Sequence, residues 1–243
     1  MGIIIQKFGG SSVANTEKLF NVCKHIIKEK NKGKSIVVVV SAQGNTTDEL
    51  IQEEKEITQK PNKREHDMLV SVGEQITIAK LAMCLKSLGY QAISYLGWQI
   101  PIITDSNFGD ANITEIEISK INKDLKENKI VIVAGFQGVD KNKNITTLGR
   151  GGSDTTAIAL AAALQAERCE IFKDVDGIYS EDPNKNQNAK RYETISYDKM
   201  LELSNNGAEV LHNKCIEIAQ ENLVKIFVKS VFKEESIGTI VGR

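Results

Sequence analysis

Apolar residues occur along this chain in short continuous runs that alternate with amphipathic segments. The runs at residues 35–40 and 130–134 are uninterrupted and rich in β-branched residues, which is typical of strands in a parallel sheet covered on both faces. Residues 16–30 and 67–88 instead carry apolar residues at helical spacing. Because the alternation continues from end to end, it predicts a single domain over residues 1–243. The predicted fold is an α/β three-layer sandwich with a central, mostly parallel sheet.

A polar, glycine-rich loop follows the first predicted strand. Residues 7–13 (KFGGSSV) lie between the apolar run at 3–5 and a predicted helix start. Glycine lets a backbone approach a ligand closely, the N–H groups of a helix start favour an anion, and Lys7 adds a positive charge. The loop therefore predicts a polyphosphate cradle. It lacks the spacing of the common phosphate-binding signatures, so an ordinary turn is the alternative.

Two later loops add chemistry of the same kind. Residues 149–154 (GRGGSD) offer an arginine, glycines and a carboxylate at a helix start, and residues 173–177 (KDVDG) offer carboxylates and a turn. Phosphoryl transfer between two anions needs cations and directed N–H groups, and Arg150 suits bidentate recognition of a carboxylate. Each feature also has a structural interpretation: Asp154 as a partner of the helix dipole, the later carboxylates as turn formers, and Glu74 as part of a solvated helix face.

Composition narrows the range of partners. The chain has 243 residues, a net charge of −1 and a sequence pI near 6.4, so it shows no basic excess for nucleic acid or a membrane surface. Its four cysteines form no Cys-x-x-Cys pair and its three histidines have no metal-like spacing, so no metal site made of protein residues is expected. Neither a signal-peptide pattern nor a membrane-spanning stretch is apparent, and we expect a cytoplasmic protein.

Residues 7–13 and 148–157 (LGRGGSDTTA) together resemble the aspartokinases of the amino-acid kinase superfamily. The resemblance covers essentially the whole chain and continues through residues 41–48, 71–75, 97–99, 174–179, 195–197 and 207–212. It implies an ATP-dependent kinase that phosphorylates the β-carboxylate of L-aspartate by direct in-line attack. The product is 4-phospho-L-aspartate, in the first step of lysine, threonine and methionine biosynthesis. The implied cofactors are ATP and Mg²⁺, with Mg²⁺ held mainly by phosphate oxygens.

The resemblance also implies roles for individual residues. Lys7 would stabilise charge on the transferred phosphoryl group and Asp154 would organise the site around it, so these two are the catalytic candidates. Arg150 would bind the α-carboxylate of aspartate, and Glu74 its α-ammonium group. The implied substrate-binding set is Ser41, Thr47, Glu74, Arg150, Gly151, Gly152 and Ser153. The implied ATP-binding set is Lys7, Gly9, Gly10, Ser11, Lys173, Asp174, Tyr179 and Asp182.

Four residues depart from the family pattern, all on the nucleotide side. Lys173 stands where the family usually has threonine, and Asn184 where it usually has arginine. Glu209 stands in place of a lysine, and Asn213 in place of a proline. The departures concern nucleotide binding, whereas the aspartate pocket follows the family pattern.

Two other functions stay open: a kinase for another acceptor, such as glutamate or uridylate, and a catalytically silent ligand-binding module. Arg150 with Glu74 favours an amino acid, because the pair matches its two charged ends; Lys7 with Asp154 favours an active enzyme. Aspartokinases commonly carry C-terminal ACT regulatory domains. None is expected here, so direct inhibition by lysine or threonine is not expected. The implied partners are L-aspartate and ATP, with a homo-oligomer expected and a separate regulatory subunit left open.

Overall fold

Strands and helices alternate in the computed structural model, which describes residues 2–181, 186, 188–208, 210–233 and 236–242. The strands are β1 (Ile3–Phe8), β2 (Ser35–Val40), β3 (Ala92–Tyr95), β4 (Ile102–Thr104), β5 (Ile113–Ile116), β6 (Ile130–Ala134), β7 (Gln137–Val139), β8 (Ile145–Thr147), β9 (Arg168–Lys173), β10 (Thr194–Ile195), β11 (Ile226–Ser230) and β12 (Thr239–Val241). The α-helices are α1 (Thr16–Asn31), α2 (Thr46–Ile57), α3 (Lys63–Val70), α4 (Val72–Ser87), α5 (Ser119–Lys126), α6 (Gly152–Ala163), α7 (Tyr197–Asn205) and α8 (Asn213–Glu221), and a short 3₁₀ helix covers Gly10–Ser12.

Eight strands of the described residues form the central sheet, in the order β10-β12-β11-β9-β1-β2-β6-β3. Neighbouring strands pair in parallel except β11 and β12, which are antiparallel. Helices pack against both faces of the sheet. The predicted three-layer α/β sandwich with a mostly parallel sheet is therefore confirmed.

Two apolar layers, one on each face of the sheet, explain the uninterrupted apolar strands. All six residues of β2 are buried. Val37 and Val39 belong to the layer that contains α6, whereas Val38 and Val40 belong to the layer that contains α1 and α4. Burying one valine side chain stabilises the fold by about 1.5–3 kcal/mol. A polar side chain on either face of β2 would not contribute this stabilisation. The central strands therefore need apolar residues at every position.

The carboxyl ends of β9, β1, β2 and β6 lie side by side, because these four strands are adjacent and parallel. The loops that follow them meet at one edge of the sheet, together with the first turn of α6. Ligand sites of open parallel sheets form at this edge. The fold therefore brings the three glycine-rich and charged loops of the sequence to one place.

The predicted long helix over residues 67–88 is divided at Ser71 into α3 and α4. By length and composition alone, residues 63–87 could cross a membrane, contrary to the expectation from sequence. However, 56% of the most apolar window is buried inside the protein, and the pair of helices carries the buried carboxylates of Asp67 and Glu74. These helices belong to the folded core of the protein.

Three elements differ from the pattern in the sequence. A smaller sheet, of order β5-β4-β7-β8, contains the β7–β8 hairpin, which the sequence pattern did not predict because glycine and polar residues interrupt its short apolar stretches. The apolar helical pattern begins only at Ala157, whereas α6 begins at Gly152; Asp154 lies in its first turn, as expected of a carboxylate at a helix start. The sequence also predicts a helix over about residues 208–221, but Gly207 has a positive φ of 96° and α8 begins only at Asn213, so the predicted start is wrong.

Candidate active site

One buried carboxylate holds two lysine side chains at the carboxyl edge of the central sheet. Asp154 lies in the first turn of α6, Lys7 near the end of β1 and Lys173 at the end of β9. Lys7 Nζ lies 2.7 Å from Asp154 Oδ1, and Lys173 Nζ lies 2.9 Å from Asp154 Oδ2. Because β1 and β9 are adjacent parallel strands, both ammonium groups reach the same carboxylate.

The electrostatics of this cluster follow from burial and charge. Burial alone would raise the pKa of Asp154, which is 4% exposed, but the ammonium groups of Lys7 and Lys173 lower that pKa to about 2. Burial lowers the pKa of Lys7; attraction to Asp154 opposes this shift and repulsion from Lys173 adds to it. Asp154 is therefore ionised at neutral pH. Two lysines against one carboxylate favour the approach of an anion.

A second buried carboxylate, Glu74, lies in the first turn of α4 and is 3% exposed. One of its oxygens, Oε1, accepts a hydrogen bond of 2.9 Å from the backbone N–H of Ala42. Among the described residues its other oxygen, Oε2, has no hydrogen-bond partner. Burial raises the pKa of Glu74 to about 7, against the lowering effect of the backbone hydrogen bonds and of the charge on Lys7. A buried acceptor without a partner is costly, so this oxygen fits a donor brought by a ligand.

Two adjoining cavities open beside these groups. The first has a volume of about 380 Å³ and is lined by Lys7, Gly9, Gly10, Ser41, Ala42, Gly44, Thr47, Glu74, Phe136, Gly149, Arg150, Gly151, Gly152, Ser153, Asp154 and Lys173. The second has a volume of about 420 Å³ and is lined by Arg150, Gly151, Asp154, Lys173, Ser204, Gly207, Ala208, Val210, Leu211, His212 and Asn213. Since Arg150, Gly151, Asp154 and Lys173 line both, two ligands could meet at the lysine–carboxylate cluster.

Glycines shape the loop that carries Arg150. Gly149 and Gly151 have positive φ angles of 71° and 73°, which L side chains rarely adopt. A Cβ atom at Gly151 would lie only 2.7 Å from the Cβ of His212. The GRGG sequence is therefore required by the backbone, and it places Arg150 at the border of both cavities.

The structure brings together most of the residues that the sequence predicts. All predicted substrate-binding residues line the first cavity, as do Lys7, Gly9, Gly10, Asp154 and Lys173. The other predicted ATP-binding residues do not line either cavity: Ser11 and Asp174 are exposed, and the Tyr179 hydroxyl donates a hydrogen bond of 2.6 Å to Asp176. Asp182 lies outside the described residues, as do Asn184 and Glu209.

Sequence reasoning missed Phe136 and His212. Phe136 directly follows β6, has a positive φ of 69° although it is not glycine, and lines the first cavity. Its position at a strand end was the available signal. His212 precedes α8 and lines the second cavity, and no local pattern in the sequence indicates that role.

No group of three His, Cys, Asp or Glu side chains in the described part of the chain is arranged to hold a metal ion. Asp154, the carboxylate at the end of the 149–154 loop, is engaged with two lysines. A divalent cation at this site would need ligands from outside the protein, and the phosphate oxygens of a nucleotide have the required chemistry.

The chain belongs to the amino acid kinase family, which matches residues 2–230. Among curated relatives, the aspartokinase of Bacillus sp. (strain MGA3) is 54% identical over 241 residues, which cover 99% of this chain and 58% of that protein. Aspartokinase 2 of Bacillus subtilis (strain 168) is 52% identical over 241 residues, which cover 99% of this chain and 59% of that protein. The resemblance to aspartokinases is thereby confirmed. The chain spans less than two thirds of the length of these relatives.

Solved structures of aspartate kinases also superpose on this chain. The aspartate kinase from Synechocystis superposes with a TM-score of 0.87 at 43% identity, covering 98% of this chain and 40% of that one. E. coli aspartokinase III in complex with aspartate and ADP superposes with a TM-score of 0.89 at 28% identity, covering 99% of this chain and 64% of that one. A UMP kinase from Bacillus anthracis shares the fold, with a TM-score of 0.70 at 18% identity over 99% of this chain and 96% of that one.

Proposed function

We propose that this chain is the catalytic domain of an aspartate kinase, which transfers the terminal phosphoryl group of ATP to the β-carboxylate of L-aspartate. The observation that carries the proposal is one cavity that combines Arg150, the lysine–carboxylate cluster and Glu74, whose Oε2 has no hydrogen-bond partner among the described residues. An amino acid has an ammonium group and a carboxylate at one end, and these two residues match both charges. The aspartokinase names of the relatives and the aspartate and ADP in the E. coli structure support the same acceptor and donor.

In the proposed arrangement, Arg150 binds the α-carboxylate of L-aspartate and Glu74 its α-ammonium group. Ser41, Thr47 and Ser153 line the same cavity with hydroxyl groups, and Gly151 and Gly152 allow close approach of the backbone. The β-carboxylate then points toward Lys7. The N–H groups of the loop at Gly9 and Gly10 face the phosphates, with Ser11, Asp174, Tyr179 and Asp182 proposed to border the nucleotide.

The proposed chemistry is a direct displacement. A β-carboxylate oxygen of aspartate forms a bond to the terminal phosphorus, while the bond from that phosphorus to the bridging oxygen breaks and the electron pair leaves with ADP. Because an aspartate carboxylate carries no proton at neutral pH, the step needs no general base. The protein contributes positioning and charge: Lys7 and Lys173 offset the negative charge on the moving group, and Asp154 holds both lysines. Mg²⁺ bound to the phosphate oxygens of ATP would supply further charge neutralisation there.

An acceptor panel tests this function. Purified protein is supplied with ATP and Mg²⁺ and offered L-aspartate, L-glutamate or uridylate, and ADP release is measured together with hydroxylamine trapping of the acyl phosphate. Turnover and trapping with L-aspartate are expected. Turnover only with glutamate or uridylate would assign the site to another acceptor, and no turnover with any of them would indicate a silent ligand-binding module. The expected homo-oligomer and cytoplasmic location stay predictions, and a separate regulatory subunit stays open; the mass of the purified protein in solution tests the homo-oligomer.

Because Glu74 is proposed to bind the α-ammonium group, its ionisation should make the KM for L-aspartate depend on pH. Since burial raises the pKa of Glu74 to about 7, its side chain is mostly neutral below that pH and binds an ammonium group poorly. We expect the KM for aspartate to rise by about tenfold for each pH unit below 7. At saturating aspartate kcat should change less, because a bound ammonium group keeps the carboxylate ionised. The control is Glu74→Gln, which should raise the KM at pH 8 and remove the inflection near 7; an inflection that persists in this variant belongs to another group.

Replacing Lys173 is predicted to weaken ATP binding and slow turnover. Replacing it with threonine, the usual family residue, removes one of the two cations at Asp154. We expect Lys173→Thr to raise the KM for ATP and lower kcat by about tenfold each, because a charge-assisted contact to phosphate is lost. The matched control is Lys229→Thr, since Lys229 also pairs with a buried carboxylate, Glu170 at 3.3 Å, but lies on β11 away from both cavities. Unchanged ATP kinetics in Lys173→Thr would remove Lys173 from the site.

A further inference from the structure

Another buried carboxylate, that of Asp67, does not line either cavity. Its side chain on α3 is fully buried. Asp67 Oδ2 accepts hydrogen bonds from the backbone N–H of Thr147 at 2.8 Å and of Gly109 at 3.1 Å, and Oδ1 accepts one from the Thr147 hydroxyl at 2.8 Å. No basic side chain among the described residues forms an ion pair with it. A buried carboxylate is costly, so these three hydrogen bonds are what keeps it in place.

Thr147, which donates two hydrogen bonds to Asp67, lies three residues before Arg150 in the sequence. Thr147 is the last residue of β8, and its carbonyl accepts a hydrogen bond of 2.8 Å from the N–H of Ala111. The next residue, Leu148, is fully buried and donates its N–H to the carbonyl of Phe136 at 2.9 Å. Hydrogen bonds to three other parts of the chain thus hold the segment that leads to Arg150: to Asp67, to Ala111 and to Phe136, which follows β6.

Glu74 belongs to the same pair of helices as Asp67. The two carboxylates are seven residues apart, on either side of the break at Ser71, whose carbonyl accepts a hydrogen bond of 2.9 Å from the Gln137 side chain. The helices α3 and α4 therefore carry both Glu74 and Asp67, and Asp67 bonds the segment that leads to Arg150.

We infer that Asp67 is a positioning residue that sets the place of Arg150 relative to Glu74, and so the fit of the acceptor amino acid. This inference rests on the proposed function, since it takes Arg150 and Glu74 as the residues that read the two charged ends of the acceptor. Asp67 does not touch the acceptor. Its effect passes through Thr147 and the short segment up to Arg150.

Asp67→Asn is the direct test, because the amide keeps the shape of the carboxylate but has no charge and only one acceptor oxygen, so either the Thr147 hydroxyl or the N–H groups of Thr147 and Gly109 lose their acceptor. We expect the KM and the Kd for L-aspartate to rise by about tenfold or more, with the KM for ATP and kcat within about threefold of wild type. Thr147→Val removes only the hydroxyl bond and should raise the same two constants by a smaller factor. The control is Asp124→Asn: Asp124 is a buried carboxylate that bonds Tyr95 and Lys129 away from the site, so this variant should lose stability without changing aspartate binding.

A double-mutant cycle separates positioning from a general loss of structure. If Asp67 acts through Arg150, Asp67→Asn should have little further effect on the aspartate Kd in an Arg150→Ala background. Additive effects, or an equal rise of the ATP and aspartate constants in Asp67→Asn, would overturn the inference. If Asp67→Asn does not fold, the cycle is run with Thr147→Val. Binding measured by calorimetry keeps the two proposals distinct: a protein that binds aspartate with this coupling but does not phosphorylate it contradicts the proposed function alone.

Discussion

Lys7→Ala is expected to lower kcat by about 100- to 1,000-fold while the Kd for L-aspartate stays close to that of the wild type. Lys7 is 5% exposed, and its ammonium group contacts Asp154 at 2.7 Å, at the border where the terminal phosphate is proposed to meet the acceptor. A cation at that point acts mainly on the charge that develops in the transition state, so its loss affects turnover more than binding. Steady-state rates and calorimetric titration with aspartate measure the two quantities.

The fold of the variant must be verified, because removing one partner of a buried ion pair can destabilise a protein by about 3–5 kcal/mol. Here Lys173 still pairs with Asp154, which limits that effect. Lys34→Ala is a suitable control: Lys34 precedes β2 at the opposite edge of the sheet and pairs with Glu167 near the surface, so its kcat should be unchanged. A folded Lys7→Ala protein with near-normal kcat would show that Lys7 does not contact the transferred group.

Arg150→Ala is expected to raise the KM for L-aspartate by about 10- to 100-fold and the KM for ATP little. The proposed contact is a bidentate, charge-assisted hydrogen bond to the α-carboxylate, and losing such a contact leaves a charged group of the substrate unpaired. Arg150→Lys keeps the charge but loses the planar fork, and it should lie between the wild type and Arg150→Ala. Kinetics with each substrate varied at saturating levels of the other provide the measurement.

Arg150 also lines the second cavity, so the comparison of the two substrates is decisive. An equal rise of both KM values would mean that Arg150 contacts the nucleotide or that its loop is disturbed. A rise of the KM for ATP alone would mean that Arg150 binds the nucleotide and not the amino acid. Circular dichroism of both variants separates a disturbed fold from a lost contact.

Local chemistry determined the strands and the loop motifs. The predicted apolar runs at residues 35–40 and 130–134 are β2 and β6 with the same bounds, because an uninterrupted β-branched stretch favours a buried strand whatever lies next to it. The positions of Lys7 and Arg150 at strand and helix ends were also visible, since the glycines beside them indicate close approach or unusual backbone angles. The pattern therefore predicted the fold class and most of the residues that line the first cavity.

Contacts between distant segments could not be predicted in this way. Asp154 and Lys173 are separated by 19 residues, and they meet because the first turn of α6 lies against the carboxyl end of β9. Asp67 and Thr147 are separated by 80 residues, and nothing near either one indicates their hydrogen bonds. The break at Ser71 lies within a continuous helical pattern for a similar reason, because the contacts that position α3 and α4 come from other parts of the chain.

By itself, the sequence determined which residues are apolar, which loops carry charge and where glycine permits close approach, and from these the layers of the fold and the chemistry at the sheet edge follow. Only the tertiary structure decided that Lys173 shares the carboxylate of Asp154, that Glu74 has one buried oxygen without a hydrogen-bond partner among the described residues, and that Asp67 bonds Thr147, three residues before Arg150. The physical reason is that strand order and helix packing are cooperative properties of the whole core. The burial and charge of one side chain depend on segments that its own neighbours in sequence do not specify.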